Sequence, residues 1–327
     1  MLSLNSFHTF GLSANAKNLV RLTDVDQLIP AEPFYILGEG SNTIFLEDYE
    51  GCILQVCLKG VEITEHNDHY MVRVAAGENW HQLVIHLLQE KIFGLENLAL
   101  IPGTVGAAPI QNIGAYGREL ADFCHSVETL HLQNGEKTAI AAVDCQFGYR
   151  DSIFKQSEAL ALLITHVNLR FDKEWKPHNQ YGELQALGEA PSPLEIYNKV
   201  VEVRQSKLPD PAKVGNAGSF FKNPVVEGDL FRLLKAKWAE IPGYSQEGGR
   251  VKIPAAWLID TLGFKGKTVG GIACHAKQPL VLINQNHGTG QELLTLARDI
   301  RDSVYREFGI VLENEVRLMG KLGLITL

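Results

Sequence analysis

The 327-residue sequence has few cysteines and no arrangement of them that indicates a disulfide framework or a zinc site. The five are Cys52, Cys57, Cys124, Cys145 and Cys274, and no two of them form a CxxC pair. An odd number of unpaired thiols is typical of proteins from reducing compartments. The histidine pairs His81 and His86, and His66 and His69, have no cysteine or carboxylate companions at the spacing of metal ligands, so no metal site is predicted.

The sequence also lacks a targeting segment, a membrane span and a basic surface. It begins MLSLNSFHTFGLSANA, without the basic start and continuous apolar run of a signal peptide. No stretch reaches the roughly 20 apolar residues that a membrane helix needs. The formal net charge is −8, which gives no general attraction for nucleic acid or anionic lipid. These absences predict a cytoplasmic protein with no nucleic-acid or membrane partner.

The usual fingerprints of nucleotide-binding sites are absent too. GEGSN, at Gly38–Asn42, precedes a strand-like segment rather than a helix, so it is not a Rossmann turn. GKT at 266–268 resembles the end of a Walker loop, but Thr261 occupies the place of its first glycine. There is no internal repeat, which excludes a solenoid. Any phosphate must therefore be held by another kind of local feature.

What is present predicts a mixed α+β protein. The chain is longer than one hydrophobic core usually organises, so two or three domains are expected. FYILGEGSNTIFL predicts a strand, a glycine turn and a second strand, and the final IVLENEVRLMG predicts another strand. Apolar periodicity predicts helices from Asn79 until Gly94 stops the helix, over 192–206, and from Leu293 to Phe308 before Gly309. Because these elements do not alternate as βαβ units, an α+β architecture is favoured.

Two glycine-rich loops have the composition to hold phosphate. In LGEGSN the glycines permit positive φ, so successive N–H groups can face one anion, and Ser41 and Asn42 add donors. In IPGTVGAAPIQNIGAYG, residues 101–117, four glycines let the backbone pass close to a ligand. Contacts with a pyrophosphate would come mostly from backbone amides there. Each loop alone fits a tight turn equally well, but two within eighty residues favour a dinucleotide site.

The segment NAGSFFKNP places Ser219 between small residues and two phenylalanines. Asparagine, glycine, serine and proline are the usual turn formers, so a simple turn explains the segment. A reactive hydroxyl in a tight, dry pocket explains it as well. The residues alone leave both interpretations open.

Seven segments together resemble the UDP-N-acetylenolpyruvoylglucosamine reductase family over nearly the whole chain. They are LGEGSN, IPGTVGAAPIQNIGAYG, FGYRDS, SKLPDP, NAGSFFKNP, KIPAAWLID and LENEVR, within a resemblance that runs from SFHTFGLSANA to LENEVRLMG. The resemblance implies the two-lobed FAD-binding fold of vanillyl-alcohol-oxidase-type proteins with a smaller α+β substrate-binding domain. It predicts lobe 1 from 1–58 with 310–327, lobe 2 from 59–207 and the substrate-binding domain from 208–309.

The resemblance also implies the ligands and the residues that contact them. Noncovalent FAD, NADPH as electron donor and UDP-N-acetylglucosamine enolpyruvate as substrate are expected, in a monomeric enzyme of peptidoglycan precursor synthesis. The positions that match FAD contacts are Gly38, Gly40, Ser41, Asn42, Pro102, Gly103, Gly106, Ile113, Gly114 and Tyr116. The positions that match substrate contacts are Tyr149, Tyr181, Lys207, Asn223 and Gln278. Trp175–Gly182 resembles the tyrosine-bearing loop of the long form of the family.

Three positions match the family's catalytic residues, and the chemistry accounts for each of them. Hydride addition at C3 of the enolpyruvyl group leaves negative charge at C2 and in the carboxylate, which Arg150 could neutralise. Ser219 could donate the proton that C2 then requires. Glu315 would help only as a neutral hydrogen-bond donor or by holding a water. An Arg150 paired with Asp151 at the surface, and a Glu315 on a solvated strand face, are the commoner fates of such residues.

Some features leave alternatives open. Asn314 stands where many family members have proline, which puts the exact placement of Glu315 in question. An FAD oxidase of the same fold is a second possibility, although such enzymes often attach flavin to a histidine after the first glycine loop, where Ser41 and Asn42 stand here. A non-catalytic nucleotide-binding module would need none of the three matching catalytic residues.

Overall fold

A computed structural model describes residues 1–26, 33–156, 159 and 161–327. The chain forms two units, each described here by itself. Unit 1 comprises Met1–Lys17, Gly40–Glu50 and Lys207–Leu327, and unit 2 comprises Asn18–Glu39 and Gly51–Ser206. The predicted division into two lobes and a separate substrate-binding domain stays a prediction.

The described residues contain both strands and helices. The strands are β1 (Leu2–Ser3), β2 (Asn15–Leu22), β3 (Phe34–Leu37), β4 (Thr43–Phe45), β5 (Tyr49–Val56), β6 (Val61–Glu65), β7 (His69–Ala75), β8 (Gly114–Ala115), β9 (Arg118–Glu119), β10 (Cys124–His131), β11 (Lys137–Ala141), β12 (Leu162–Asp172), β13 (Gly215–Ser219), β14 (Val225–Val226), β15 (Tyr244–Ser245), β16 (Val251–Lys252), β17 (Thr268–Val269), β18 (Ile272–Cys274), β19 (Val281–Asn284), β20 (Arg317–Met319) and β21 (Leu324–Ile325). The α-helices are α1 (Trp80–Gln89), α2 (Pro193–Lys207), α3 (Gly228–Lys237), α4 (Ala255–Thr261) and α5 (Gly290–Phe308).

Unit 2 is built on a five-stranded antiparallel sheet with the order β11-β10-β12-β7-β6. Its core combines apolar residues of that sheet with those of α1 and α2, such as Val167, Leu83 and Val200. In the same unit β3 pairs in parallel with β5, with Phe34 opposite Cys52. The glycine turn after β3 is therefore anchored at the end of a buried parallel pair.

Unit 1 has its own core. The sheet β13-β19-β18-β17 is antiparallel, and β20 lies between β21 and β4, with a parallel pairing to β4. The long helix α5 buries Leu293, Ile300 and Val304 in this core. Thr289 caps α5 in a reciprocal capping box, and Gly309, with φ of +67°, ends it as the sequence predicts.

Helix α1 ends earlier than the sequence predicts. Asn79 caps its start as expected, accepting a hydrogen bond from Gln82 N at 3.0 Å. The helix finishes at Gln89, however, before Gly94 is reached. Lys91 takes the left-handed conformation, with φ of +60°, and Ile92 N bonds back to Leu87 O at 2.8 Å. A lysine here occupies the position that glycine usually fills, so residue type alone does not indicate where this helix ends.

The predicted C-terminal strand is also shorter than expected. Only Arg317–Met319 forms a strand. The residues before it bond instead to the segment after β13: Lys222 N donates to Glu313 O at 2.9 Å and Glu315 N to Phe220 O at 2.7 Å. The alternation of apolar residues in this segment does correspond to burial, since Leu312 and Val316 are buried. It does not correspond to a continuous row of strand hydrogen bonds.

Several predicted absences can be compared with the structure. All five cysteines are free thiols, as predicted. Burial raises the pKa of Cys124 and Cys274 to about 12 each. Among the described residues no group of histidine, cysteine and carboxylate side chains is arranged to hold a metal ion. None of the helices in that part of the chain combines the length and apolar character needed to cross a bilayer.

Candidate functional site

The two predicted glycine loops approach each other within unit 2. Gly38 directly follows β3, and a Cβ placed on it would lie 2.7 Å from Oγ1 of Thr104 in the second loop. Glu39 accepts hydrogen bonds from Nδ2 of Asn79 at 2.9 Å and 3.0 Å. Because Asn79 also caps α1, the first loop, the second loop and the start of this helix form one connected group.

The rest of the first loop belongs to unit 1. Gly40 has φ of +66°, and a Cβ on it would overlap the carbonyl oxygen of Phe7 and lie 2.8 Å from the Cα of His8. Only glycine fits this position, for both conformational and steric reasons. Ser41 and Asn42 are half-buried. Asn42 donates through Nδ2 to Glu315 O at 3.3 Å, and its own carbonyl accepts from Arg317 N at 2.8 Å.

Several backbone N–H groups of the second loop are already hydrogen-bonded to other backbone carbonyls of unit 2. Val105 N donates to Glu78 O at 2.8 Å and Gly106 N to Ala76 O at 2.9 Å. The next two amides, at 107 and 108, also bond within the loop. A Cβ on Gly106 would lie 2.5 Å from that of Ala76, so this glycine permits close packing. The expectation that backbone amides of this loop hold a pyrophosphate therefore does not apply to 105–108.

The remaining predicted residues of the second loop differ in exposure. Pro102 is exposed, whereas Gly103 is buried and accepts a hydrogen bond from Trp80 N at 2.9 Å. Ile113 is buried in the core of unit 2. Gly114 and Tyr116 are half-buried. These two lie where the loop is accessible and are the better placed for ligand contact.

Arg150 is tied to this accessible part of the loop. Its Nη2 donates to Gly114 O at 2.7 Å, and its guanidinium lies 5.6 Å from the ring centroid of Tyr149. Arg150 has φ of +55°, an uncommon conformation for a residue with a side chain. Lys155 donates to the Arg150 carbonyl at 2.6 Å and so helps to hold that conformation. The guanidinium is thus held beside the second glycine loop, and its role at the substrate carboxylate stays a prediction.

Tyr116 and Tyr181 meet in unit 2. Their ring centroids lie 6.3 Å apart at an interplanar angle of 88°. Burial raises the pKa of Tyr116, while Tyr181 is 53% exposed. Tyr181 is followed by Gly182, which has φ of +53°. A half-buried phenol from the predicted cofactor loop therefore contacts an exposed one from the loop predicted to cover the substrate.

A β-bulge displays Ser219. Strand β13 pairs with β19 at Asn216, loses register, and pairs again at Ser219 opposite Val281. Gly218 has φ of +71°, and its N–H donates to Oδ1 of Asn216 at 3.1 Å. Bulges of this kind reorient a side chain at the end of a strand. Ser219 is half-buried and ends a bulged strand rather than a simple turn, and its role as a reactive hydroxyl stays a prediction.

The neighbouring aromatic residues anchor that bulge. Phe220 and Phe221 are each 1% exposed, their ring centroids are 4.9 Å apart, and both belong to the core of unit 1. Both phenylalanines therefore anchor the bulged strand in this core. Ser219 is therefore placed by a rigid, buried support.

Glu315 lies next to this segment in unit 1. Its N–H donates to the Phe220 carbonyl at 2.7 Å, one residue from Ser219. Asn314, the departure from the family pattern, forms an isolated bridge with Phe221 and donates through Nδ2 to Val316 O at 2.7 Å. The asparagine thus braces the backbone on either side of Glu315. The backbone of Glu315 thus contacts both Phe220, next to Ser219, and the side chain of Asn42.

Three predicted substrate-contacting residues also belong to unit 1. Asn223 uses Oδ1 to accept from Ala255 N at 2.9 Å at the start of α4. Gln278 is half-buried, and its carbonyl accepts from Val281 N at 3.0 Å, opposite Ser219 in the sheet. Lys207 is the exposed last residue of α2. Gln278 therefore joins the Ser219 group, whereas Asn223 has a structural role in addition to any contact with a ligand.

Sequence reasoning missed Arg204. It lies on α2, on the helix face that also carries Tyr197 and Val201. Its Nε is buried and has no hydrogen-bond partner among the described residues. The seven-residue spacing of Arg204 from Tyr197 places both on one face of the helix, and this was the only signal in the sequence. An arginine with that spacing also fits an ordinary exposed helix surface. In the structure the Tyr197 ring stacks on His81, with ring centroids 6.0 Å apart. The accessible loop residues and this uncompensated cation fit an anionic or electron-rich cofactor such as FAD.

Comparison with known proteins identifies the family. A model of FAD binding domains matches residues 30–139, and a model of the C-terminal domain of UDP-N-acetylenolpyruvoylglucosamine reductase matches 210–319. The reductase of Pseudoalteromonas atlantica is 51% identical over 99% of this chain and 96% of its own length. That of Escherichia coli K12 is 46% identical over 98% of this chain and 96% of its own length.

The chain belongs to the UDP-N-acetylenolpyruvoylglucosamine reductase family. The crystal structure of the reductase from Thermus caldophilus, 23% identical, aligns over 97% of both chains with a TM-score of 0.66. This likeness and the FAD-domain match confirm the predicted α+β FAD-binding fold. The matched ranges contain every predicted FAD residue, as well as Ser219 and Glu315. Arg150 and Tyr181 lie outside them.

Proposed function

We propose that this chain is an FAD-dependent oxidoreductase that reduces the enolpyruvyl ether of UDP-N-acetylglucosamine enolpyruvate to UDP-N-acetylmuramate, with NADPH as electron donor. The observation that carries the proposal is the bulge in β13, which presents Ser219 beside Glu315 on a buried support. Bound FAD supplies hydride transfer through N5.

The reaction needs a cation at the substrate carboxylate. When hydride reaches C3, charge develops at C2 and spreads into the carboxylate, and such charge is strongly stabilised by a preorganised donor. Arg150 suits this role because its planar guanidinium stays protonated and matches a carboxylate. The bond to Gly114 O and the contact with Tyr149 fix its orientation before substrate arrives.

The reaction also needs a proton at C2. Ser219 supplies it, since a carbanion is basic enough to deprotonate an alcohol that is correctly positioned. Glu315 assists as a neutral hydrogen-bond donor or by holding a water. Its backbone bond to Phe220 and the braces from Asn314 keep it next to Ser219. The bulge thus positions the Ser219 hydroxyl through backbone geometry rather than through hydrogen bonds between side chains.

The predicted contacts with the sugar nucleotide are distributed among five residues. Lys207 neutralises the diphosphate, and Tyr181 lies on a loop that covers the sugar nucleotide. Tyr149, Asn223 and Gln278 supply polar contacts. Because Oδ1 of Asn223 is committed to Ala255 N, this asparagine contributes its amide N–H groups to the substrate.

The proposal is tested by following NADPH oxidation under anaerobic conditions with and without UDP-N-acetylglucosamine enolpyruvate. Oxidation that depends on the enolpyruvyl sugar, with UDP-N-acetylmuramate as the product, is expected. The competing oxidase function would show no stimulation by the enolpyruvyl sugar and, in a parallel aerobic assay, oxygen consumption with an alcohol. A protein that binds FAD but reduces neither acceptor would support the non-catalytic alternative. Cytoplasmic location and a monomeric state remain parts of the proposal.

A further inference from the structure

Arg204 carries a buried charge that nothing in the described chain compensates. Its Nε is enclosed by protein without a hydrogen-bond partner, yet part of the side chain is still accessible. No described carboxylate forms an ion pair with it. A buried guanidinium without a partner is costly, and arginine does not escape that cost by losing its proton. Such a group is explained most simply by a ligand that supplies the missing acceptor.

The surroundings of Arg204 increase the need for that acceptor. Burial lowers the pKa of Arg204, Tyr116 opposes the shift, and the charge of Arg150 lowers the pKa further. The pKa of His81 is lowered by burial and by Arg204. The guanidinium groups of Arg204 and Arg150 and the imidazole of His81 thus share one region of unit 2. Because two guanidinium charges repel each other, their proximity is favourable only when an acceptor or an anion binds there.

The neighbours of Arg204 also indicate which ligand supplies the acceptor. Tyr116 belongs to the second glycine loop, and Nδ1 of His81 accepts from Leu100 N at 3.0 Å just before that loop begins. Arg204, on the helix whose Tyr197 stacks on His81, therefore lies within electrostatic range of residues at each end of this loop. Arg150, by contrast, is bonded at Gly114 and is assigned to the substrate carboxylate. This arrangement favours a cofactor contact for Arg204 over a second contact with the substrate.

We propose that Arg204 binds the N1–C2 carbonyl edge of the flavin and stabilises the negative charge that this edge gains on reduction. The inference rests on the proposed binding of FAD. A charge close to the flavin N1 position is one of the means by which a protein adjusts the electronics of the ring. Arg204 and Arg150 then have separate tasks: Arg204 makes the flavin easier to reduce, and Arg150 stabilises the charge on the substrate.

Two measurements on the purified holoenzyme test this assignment without the enolpyruvyl substrate. Sulfite adds to flavin N5 and leaves negative charge on the N1–C2 edge, so its dissociation constant reports the stabilisation directly. For Arg204→Met we expect sulfite to bind roughly 10- to 100-fold more weakly, the range for losing a hydrogen bond to a charged group. The two-electron midpoint potential should fall by about 30 mV for each factor of ten.

Matched variants separate this role from a structural one. Arg204→Lys keeps the charge and should recover part of the loss, whereas Arg170→Met, at an exposed arginine on β12, should change neither quantity. Arg204→Gln replaces the methionine variant if that variant loses FAD. Wild-type sulfite affinity and potential in the uncharged variant would overturn the proposal, and a raised KM for the sugar nucleotide alone would reassign Arg204 to the substrate. Sulfite affinity and midpoint potential are measured without the sugar nucleotide. A failure of the proposed function would therefore not be mistaken for a failure of this role of Arg204.

Discussion

At the scale of single residues, Ser219 is the most direct test of the chemistry. NADPH can reduce bound flavin without any proton donor at the sugar, so Ser219→Ala should keep FAD and undergo flavin reduction at a nearly normal rate. Reoxidation by the enolpyruvyl substrate needs a proton at C2. That step should slow by at least about 10²- to 10⁴-fold, as expected when a positioned general acid is lost.

The measurement is anaerobic stopped-flow absorbance of the flavin, with NADPH and the sugar nucleotide mixed in turn. Ser219→Cys keeps a proton donor of similar reach and should regain part of the lost rate. If the alanine variant is reoxidised as fast as the wild type, the hydroxyl is only a turn residue and the proton comes from elsewhere.

Gly40 provides a second residue-scale prediction. Gly40→Ala must place a Cβ where the Phe7 carbonyl already lies, in addition to adopting φ of +66°. The left-handed conformation alone costs roughly 1–2 kcal/mol. Displacing the Phe7 carbonyl adds to that cost and shifts the first glycine loop, so we expect lower stability and a weaker hold on FAD, measured by thermal unfolding and flavin content.

Gly135→Ala is the matched control for this prediction. Gly135 lies in the turn between β10 and β11 with φ of +74°, and a Cβ there would meet no described atom within 4 Å. This variant should show the conformational cost and keep its flavin. Equal losses in both variants would mean that φ, rather than contact with Phe7, explains the requirement for glycine at position 40.

Residue-scale prediction from the sequence succeeded where a residue's chemistry is local. The need for glycine at position 40 and the free state of the cysteines could be inferred from residue type and spacing. Arg204 could not, because an arginine on a helix is most often solvated and only the packed structure shows its Nε without a partner. The internal bonding of the amides at 105–108 was equally invisible, since glycine content shows that a loop can bend but not which groups its N–H bonds reach.

At the scale of elements, the central sheet of unit 2 carries an electrostatic network across three strands. Arg73 on β7 donates through Nε and Nη2 to the carboxylate of Glu128 on β10, at 2.8 Å each. His166 on β12 lies 3.3 Å from the same carboxylate. The bond with Arg73 lowers the pKa of Glu128 to about 2 despite an opposing effect of burial. Such a network links neighbouring strands through their side chains.

This network predicts a specific dependence of stability on pH. A carboxylate with a depressed pKa stabilises the fold above its unfolded pKa of about 4.5, and that contribution is lost as pH falls toward the folded value of about 2. Glu128→Gln should therefore lower the free energy of unfolding by about 1 kcal/mol or less near neutral pH, because the partly exposed pair is screened by solvent. The difference from wild type should shrink as pH falls below about 4.5.

Urea unfolding followed by far-UV circular dichroism across this pH range makes the comparison. Glu136→Gln, at an exposed carboxylate in the β10–β11 turn, is the control and should run parallel to the wild type. A stability difference for Glu128→Gln that stays constant down to the lowest pH would show that the effect comes from packing rather than from titration.

Element boundaries were the least predictable feature of the fold. The end of helix α5 was predicted correctly because Gly309 marks it, whereas its start was predicted at Leu293 and lies at Gly290, after the Thr289 capping box. Helix α1 was predicted too long because a lysine adopts the left-handed conformation at its end. The strand predicted at 310–320 was mostly wrong, since the backbone of Glu313 and Glu315 bonds to the segment after the β13 bulge. That bulge depends on a long-range pairing with β19, which local sequence does not reveal.

At the scale of the whole molecule, the resemblance of the sequence predicted more than its physical patterns did. Hydrophobic periodicity predicted an α+β architecture, and glycine content predicted two loops that could bind a dinucleotide. Seven family-like segments gave the cofactor, the substrate and the residues assigned to them. The relatives confirm the family, and the fold of the Thermus caldophilus enzyme agrees with it. The individual roles of Arg150, Ser219 and Glu315 stay predictions, because no comparison assigns them.

The final prediction is that FAD is held without a covalent bond and stabilises the whole molecule. Acid precipitation should release the flavin into the supernatant, since Ser41 and Asn42 stand where related oxidases often carry a tethering histidine. A ligand that binds only the folded state stabilises it by about 2.7 kcal/mol at a concentration of 100 times its dissociation constant. Adding FAD to the apoprotein should therefore raise its melting temperature in a concentration-dependent way. FMN, which lacks the pyrophosphate assigned to the glycine loops, should raise it much less. Flavin that stays in the acid pellet would contradict the noncovalent linkage, and equal stabilisation by FMN and FAD would show that the loops do not bind the pyrophosphate.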